Sequence, residues 1–300
     1  MRYRTAPTTA CCARLWRAPA SSIPLATRET RARSNALIPA YHNHTLWSDG
    51  SGAISEMIES ARRQGIDELG ISDHYALHPD GVELEWSMCP DVLGDYAEAV
   101  LQYASSSAPI VRLGIEADYF PETIEGLRER LARVPLDYVI GSVHFVNGFP
   151  VDEHARYWNA LRGDDREAKW VDYWNRVTAL ARSGLCDILA HLDLPKKFGH
   201  HPREALSSGA LGALDAIAEA GMAIELNTAG WSLPAREPYP SEALLRAARA
   251  RDIPICISAD AHTPRDVARH FQRARDLVRA CGWTHTARYE GRTRTLVKLP

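Results

Sequence analysis

From residue 38 onward, short apolar, β-branched runs alternate with longer segments of helical periodicity, and this alternation restricts the chain to βα units around a parallel sheet. The predicted strands are Leu37 to His42, Glu68 to Ser72, Ile110 to Glu116, Tyr138 to His144, Asp187 to His191, Ala223 to Asn227 and Pro254 to Ala259. Seven such runs suggest a closed barrel. The intervening helices are predicted at Ile54 to Gln64, Val92 to Ser105, Ile124 to Arg133, Arg166 to Ser183, Leu211 to Ala220, Glu242 to Ala250 and Pro264 to Ala280. In the first, Ile54, Met57, Ile58 and Ala61 recur at helical spacing, Ser51 and Ser55 flank its start, and Gly65 supplies a stop. Thr263 followed by Pro264 reads as an N-cap with proline in the first turn. Thr284 to Leu299 alternates around Glu290-Gly291, as a closing hairpin would.

The chemistry collects at the strand ends. The first run ends in His42-Asn43-His44 with Asp49 after it, the second in Asp73-His74, and the third in Glu116 and Asp118. The fourth ends at His144, the fifth at His191 and the seventh at Asp260-Ala261-His262. A parallel barrel brings all of these ends to one mouth. Imidazole and carboxylate suit zinc, iron and manganese, and the absence of thiolates from the set argues against an iron–sulfur or structural zinc centre. Residues i and i+2 of an extended segment share a side, so both imidazoles of His42-Asn43-His44 can face one ion. A carboxylate can bridge two ions, and cations lower the pKa of bound water toward neutrality. No Ser or Cys nucleophile is required.

Composition excludes other classes. A formal charge of -3 disfavours a nucleic-acid binder, and no apolar run reaches membrane-spanning length. The six cysteines form no CxxC pair; Cys186 and Cys256 lie in apolar runs as buried free thiols, which fits a cytoplasmic protein. Residues 1–36 differ from the rest: Arg2, Arg4, Arg14, Arg17, Arg28, Arg31 and Arg33 stand against the single acid Glu29. An Arg-rich targeting segment has this signature, whereas a disordered extension or a start codon placed too far upstream needs no added machinery. The expected division is therefore a disordered Arg-rich extension over 1–36 and a metallohydrolase domain over 37–300.

These motifs resemble the PHP family of polymerase and histidinol phosphatase domains. His42-Asn43-His44 with Trp47-Ser48-Asp49-Gly50 is similar to its first motif, and Ile71-Ser72-Asp73-His74 to its second. Gly141-Ser142-Val143-His144-Phe145, His191-Leu192-Asp193-Leu194-Pro195-Lys196-Lys197-Phe198-Gly199 and Glu225-Leu226-Asn227-Thr228-Ala229-Gly230 resemble the histidinol-phosphatase branch. The resemblance implies an α/β fold, a distorted seven-stranded (β/α)7 TIM-like barrel of the PHP type. It also implies three divalent metal ions, zinc, manganese or iron. His42, His44, Glu116 and Asp260 would hold the first ion, Glu116 with His144 and His191 the second, and Asp49, His74 and His262 the third.

The implied activity is hydrolysis of L-histidinol phosphate to L-histidinol and phosphate in histidine biosynthesis. A metal-bound hydroxide, supported by Glu116, His144, His191, Asp260 and His262, would attack phosphorus in line. The implied partner is a small-molecule phosphate ester, with no nucleic acid, no membrane and no obligatory protein partner. Substrate contacts come from loops: Lys196, Lys197, His200, His201 and Arg236 are phosphate or pocket groups or a solvated charged loop, with Lys197 and Arg236 the preferred phosphate neighbours. Glu83, Asp118 and Glu153 suit an amine or imidazolium. Trp47, Trp86, Phe145, Trp158 and Trp231 are either pocket walls or ordinary packing, and Asp193 and Asn227 orient ligands. Two alternatives stay open: a related phosphoesterase acting on another small phosphate ester or nucleotide, and a non-catalytic metal-binding interaction domain. A polymerase-associated proofreading module would need a nucleic-acid surface that the sequence does not supply.

Overall fold

A computed structural model of the protein describes residues 38–104 and 107–299. The Arg-rich segment expected over 1–36 lies outside the described residues. Seven parallel strands form the barrel wall: β1 (Pro39–Ala40), β2 (Glu68–Ile71), β4 (Ile110–Asp118), β5 (Tyr138–Ser142), β8 (Ile188–Leu189), β9 (Ala223–Asn227) and β10 (Ile255–Ser258), paired in that order. A short strand β3 (His74–Tyr75) pairs with β4 beyond the end of β2. The seam between β1 and β10 is not sealed by strand pairing. Their continuations are joined near the C-terminal ends, where His44 N donates to Ala261 O at 2.8 Å and Ala261 N to His42 O at 3.2 Å. The architecture is thus a nearly closed, distorted (β/α)7 barrel.

Strand alternation divides the apolar residues into two cores. Ile115, Ala117, Val139, Ile224, Leu226, Ile255 and Ile257 pack outward against the helices. Tyr138, Ile140, Ala223 and Cys256 point inward and join Tyr41 and Tyr289 in a smaller cluster. Tyr138 fits only because β2 and β4 carry Gly70 and Gly114 beneath it, where a Cβ would collide with the ring. In α1 (Ile54–Arg63) the periodic positions Ile54, Met57, Ile58 and Ala61 are all buried, each large apolar chain contributing about 1.5–3 kcal/mol. Glu56, rather than Ser51 or Ser55, caps that helix: its carboxylate accepts Ala53 N–H at 2.8 Å, while Ser51 Oγ donates to His262 O.

The remaining helices are α2 (Leu93–Leu101), α3 (Ile124–Leu131), α4 (Ala155–Ala160), α5 (Gly163–Arg182), α6 (Ser208–Glu219), α7 (Glu242–Arg249) and α8 (Phe271–Ala280). Several differ from expectation: α4 is additional, α2 stops at Leu101, α6 starts at Ser208, and two more have a plain physical cause. The long α5 starts at Gly163 rather than Arg166, because Asp164 and Asp165 favour the positive N-terminus of a helix. The helix expected from Pro264 is split, with a 3-10 turn at Pro264–Asp266 and α8 beginning only after His270, whose φ of 59° breaks any continuous helix. The Phe145–Asp165 connection holds a small hairpin, β6 (Phe145–Val146) with β7 (Phe149–Pro150), followed by α4.

The expected C-terminal hairpin is present as β11 (His285–Glu290) and β12 (Thr293–Lys298). It covers the N-terminal end of the barrel. Arg288 Nε pairs with Glu68 at 2.8 Å, Arg292 N donates to Asp137 O at 2.8 Å, and Tyr289 Oη donates to Asp187 O at 3.1 Å. With that end plugged, the C-terminal mouth is the open one.

Candidate metal centre

Local structure aims the strand-end side chains at one point. Asn43 Nδ2 donates to Ala40 O at 3.0 Å and Gly70 O at 2.9 Å, which anchors the chain while His42 and His44 turn to the mouth. The following loop folds back over His44, a path open only to Gly50, because a Cβ there would strike the His44 carbonyl group. Buried Asp73 fixes this loop by accepting Thr45 N at 2.7 Å, Thr45 Oγ1 at 2.8 Å and Ser48 Oγ at 2.6 Å. Asp49 is thereby brought to His262 Nε2 at 3.2 Å and His74 Nε2 at 3.7 Å. Asp260 adopts a left-handed backbone conformation, φ 51°, and its carboxylate reaches His44 Nε2 at 3.2 Å and His42 Nε2 at 3.7 Å.

Glu116 is the hub. Its Oε2 lies 2.8 Å from His74 Nδ1, 3.0 Å from His42 Nε2 and 3.5 Å from His44 Nε2. Its Oε1 lies 3.1 Å from His191 Nε2 and 3.8 Å from His144 Nε2. Three overlapping clusters have donor atoms close enough to share a cation: His44, Asp49, His74 and His262; His42, His44 and Glu116; and His74, Glu116 and His144. Buried His42 Nε2, His44 Nε2 and Glu116 Oε2 crowd against one another without forming well-aligned hydrogen bonds. Buried donors and acceptors without partners are expensive, so this N/O set fits divalent cations.

The electrostatics agree. Burial opposes ionisation of Glu116, yet His74, His42 and His191 hold its carboxyl well below the usual range. Burial also opposes charge on His144, but Asp118 and Asp152 push it up to about 10. His262 rises to about 9, because Asp49 and Asp260 outweigh its burial. His44 falls to about 3, driven by burial and by its neighbours His74 and His262. Without cations, the acids of the cluster hold protons on some of these rings.

All nine residues expected to hold metal therefore meet at one mouth, beside a cavity of about 280 Å³ whose lining includes Asp49, His144, His191, Asp260 and Lys197. Other expected contacts are placed elsewhere. Arg236 is exposed, at φ 57°, and is not among the lining residues. Lys196 is buried in a separate pairing with Asp193 at 2.8 Å and Glu237 at 3.2 Å. His200 contacts Asn159, and His201 pairs with Glu237. Asp118 faces His144 Nδ1 at 3.4 Å rather than the cavity, and Glu83 is exposed. Glu153 does line the cavity. Of the aromatics, Trp86 and Phe145 form cavity wall, while Trp47, Trp158 and Trp231 pack into the core. Asn227 orients Asp260 at 3.1 Å and Glu225 at 2.9 Å.

Sequence reasoning missed two acids. Glu225 accepts from Asn227, Ser258 Oγ and the His191 main-chain N, and faces His42 Nδ1 at 2.9 Å. Its signal was a carboxylate inside an apolar strand, which must find partners to be buried. Asp152 lines the cavity and pairs with Lys197 Nζ at 3.0 Å, from a connection whose sequence has no periodicity.

A barrel plugged at one end, with a carboxylate-bridged histidine cluster at the other, defines a protein built around a multinuclear divalent-metal centre. The chain belongs to the PHP domain family, whose model matches residues 40–229. It is 36% identical over 244 residues to a probable histidinol-phosphatase of Deinococcus radiodurans, covering 80% of this chain and 92% of that protein. A probable histidinol-phosphatase of Schizosaccharomyces pombe is 22% identical over 262 residues, covering 81% of this chain and 86% of that one. The fold is similar to the crystal structure of histidinol phosphate phosphatase from Lactococcus lactis, complexed with zinc, L-histidinol and phosphate. The TM-score is 0.71 at 18% identity, covering 86% of this chain and 98% of that one. Among the described residues, no helix is long and apolar enough to cross a membrane.

Proposed function

We propose that this chain is a metal-dependent phosphatase that hydrolyses L-histidinol phosphate to L-histidinol and inorganic phosphate, a step of histidine biosynthesis. The observation that carries the reading is the convergence of nine histidine and carboxylate side chains, Glu116 at their centre, at the edge of a cavity. The similarity to histidinol-phosphatases over most of the chain supports the substrate.

His42, His44, Glu116 and Asp260, then Glu116 with His144 and His191, then Asp49, His74 and His262, would hold three divalent cations, with zinc, manganese and iron all suited to these donors. Bound there, the cations supply Lewis-acid stabilisation of phosphoryl oxygens and a water of lowered pKa. The rest falls to the chain. Glu116 joins two of the clusters, Glu225 holds the His42 ring by its second nitrogen, and Asp118 lies 3.4 Å from the second nitrogen of His144. Lys197 brings a positive charge to the cavity, and Trp86 and Phe145 exclude water from one wall. We place the protein in the cytoplasm, a setting supported by free thiols at Cys89, Cys186, Cys256 and Cys281.

A kinetic panel tests the reading. With metal-loaded protein, kcat/KM for L-histidinol phosphate should exceed that for an aryl phosphate and for nucleoside monophosphates by on the order of 100-fold or more. Equal values would point to a broad phosphoesterase, and no turnover with full metal loading would point to a binding domain.

A further inference from the structure

Lys197 is the one Lys or Arg among the described residues that line the cavity, and its ammonium is already engaged by Asp152 at 3.0 Å. Both partners are shielded, with side chains 27% and 23% exposed, and both border the metal cluster: Asp152 interacts electrostatically with His144 and His191, and Lys197 with Asp260 and Asp49. The backbone beneath each is anchored. Val151, beside Asp152, is fully buried, donates to His144 O at 2.9 Å and accepts from Trp158 Nε1 at 2.7 Å. Lys197 sits in the 3-10 turn Leu194–Phe198, its carbonyl accepting Ala235 N–H at 3.3 Å.

Such a pair discriminates among ligands. A plain phosphate ester that takes Lys197 deprives the shielded Asp152 carboxylate of its ion-pair partner, which is unfavourable. A ligand that carries both an anion and an ammonium compensates both partners at once. Asp152 needs no new chemistry for this, since it already holds an alkyl-ammonium, the Lys197 side chain. Glu153, the neighbouring acid in the lining, is exposed, so a charge contact there is screened by solvent.

We propose that substrate exchanges partners with this pair, its phosphate taking Lys197 and its ammonium taking Asp152, so that the cavity selects amino-phosphate esters over phosphate esters without a cation. The proposal rests on the phosphatase reading above and assigns selectivity within it to Asp152, which acts as a positioning residue and not on phosphorus.

The test is a cycle of two substrates and two proteins: L-histidinol phosphate and its analogue lacking the amino group, with the metal-loaded wild-type protein and Asp152→Asn. In the wild-type protein, loss of the amine should lower kcat/KM by roughly 10- to 100-fold, mostly through KM, the scale of one charge-assisted hydrogen bond. In Asp152→Asn the two esters should come within about threefold of one another, a residual scale set by neutral hydrogen bonding, and Asp152→Glu should recover part of the preference. A purely structural role would depress both esters alike and keep the gap, overturning the proposal. So would a wild-type protein indifferent to the amine, an outcome that needs no variant to fold. Failure of the wild-type protein to hydrolyse either ester would instead overturn the phosphatase reading on which this one stands.

Discussion

Glu225 Oε2 lies 2.9 Å from His42 Nδ1, and the opposite nitrogen of the same ring lies 3.0 Å from Glu116 Oε2. The first contact fixes which nitrogen of His42 faces the cluster. Partners of this kind set the orientation and basicity of a ligating imidazole. Replacing Glu225 by Gln should lower the affinity for metal by about 10- to 100-fold, measured by competition with a chromophoric chelator. An unchanged affinity would mean that His42 is held by other contacts.

Glu116 is the only carboxylate among the described residues within 4 Å of five imidazoles, those of His42, His44, His74, His144 and His191. Substituting Gln keeps its shape and removes its charge. The bound metal per protein, read by plasma mass spectrometry after dialysis, should fall, and phosphate release should drop at least about 100-fold. Full stoichiometry in this variant would contradict a bridging role.

Metal uptake should release protons. In the cation-free protein, His144 at about 10 and His262 at about 9 are protonated at neutral pH, despite burial, because Asp118 and Asp152 act on the first and Asp49 and Asp260 on the second. Imidazoles must be neutral to ligate, so apparent affinity should rise with pH through neutrality and level off only above about pH 10, once both rings are neutral without metal. Calorimetry in buffers of differing ionisation enthalpy measures the number of protons released. Uptake that released none and did not depend on pH would place the cations elsewhere.

The barrel interior offers a test away from the centre. A methyl group at Gly114 would land on the Tyr138 ring, which is fully buried between β4 and the hairpin residue Tyr289. Gly114→Ala should destabilise the protein by about 1–3 kcal/mol through overpacking. The midpoint of guanidinium unfolding reads this directly, and an unchanged midpoint would show that the ring has room to shift.

Much of this arrangement was legible because its signals are periodic or terminal. Short apolar, β-branched runs mark the seven strands, and polar residues just beyond Ala40, Ile71, Ser142 and Ser258 mark the mouth. What escaped depends on contacts between distant segments. The left-handed break at His270 carries no glycine or proline to announce it, so the pattern from Pro264 read as one helix. Arg236 follows a strand as a phosphate contact would, yet its side chain is exposed and does not line the cavity that Leu233 of the same turn does. Asp152 acquires its meaning only from Lys197, 45 positions along the chain.

The central claim is that these side chains act through shared cations on a phosphate ester. Its most direct test is phosphate release from L-histidinol phosphate by protein stripped with a chelator and then titrated with zinc, manganese or iron. The account predicts loss of turnover on stripping and recovery in step with metal bound, up to three ions per chain. Undiminished turnover by the stripped protein would contradict it, and so would full metal loading without any release of phosphate.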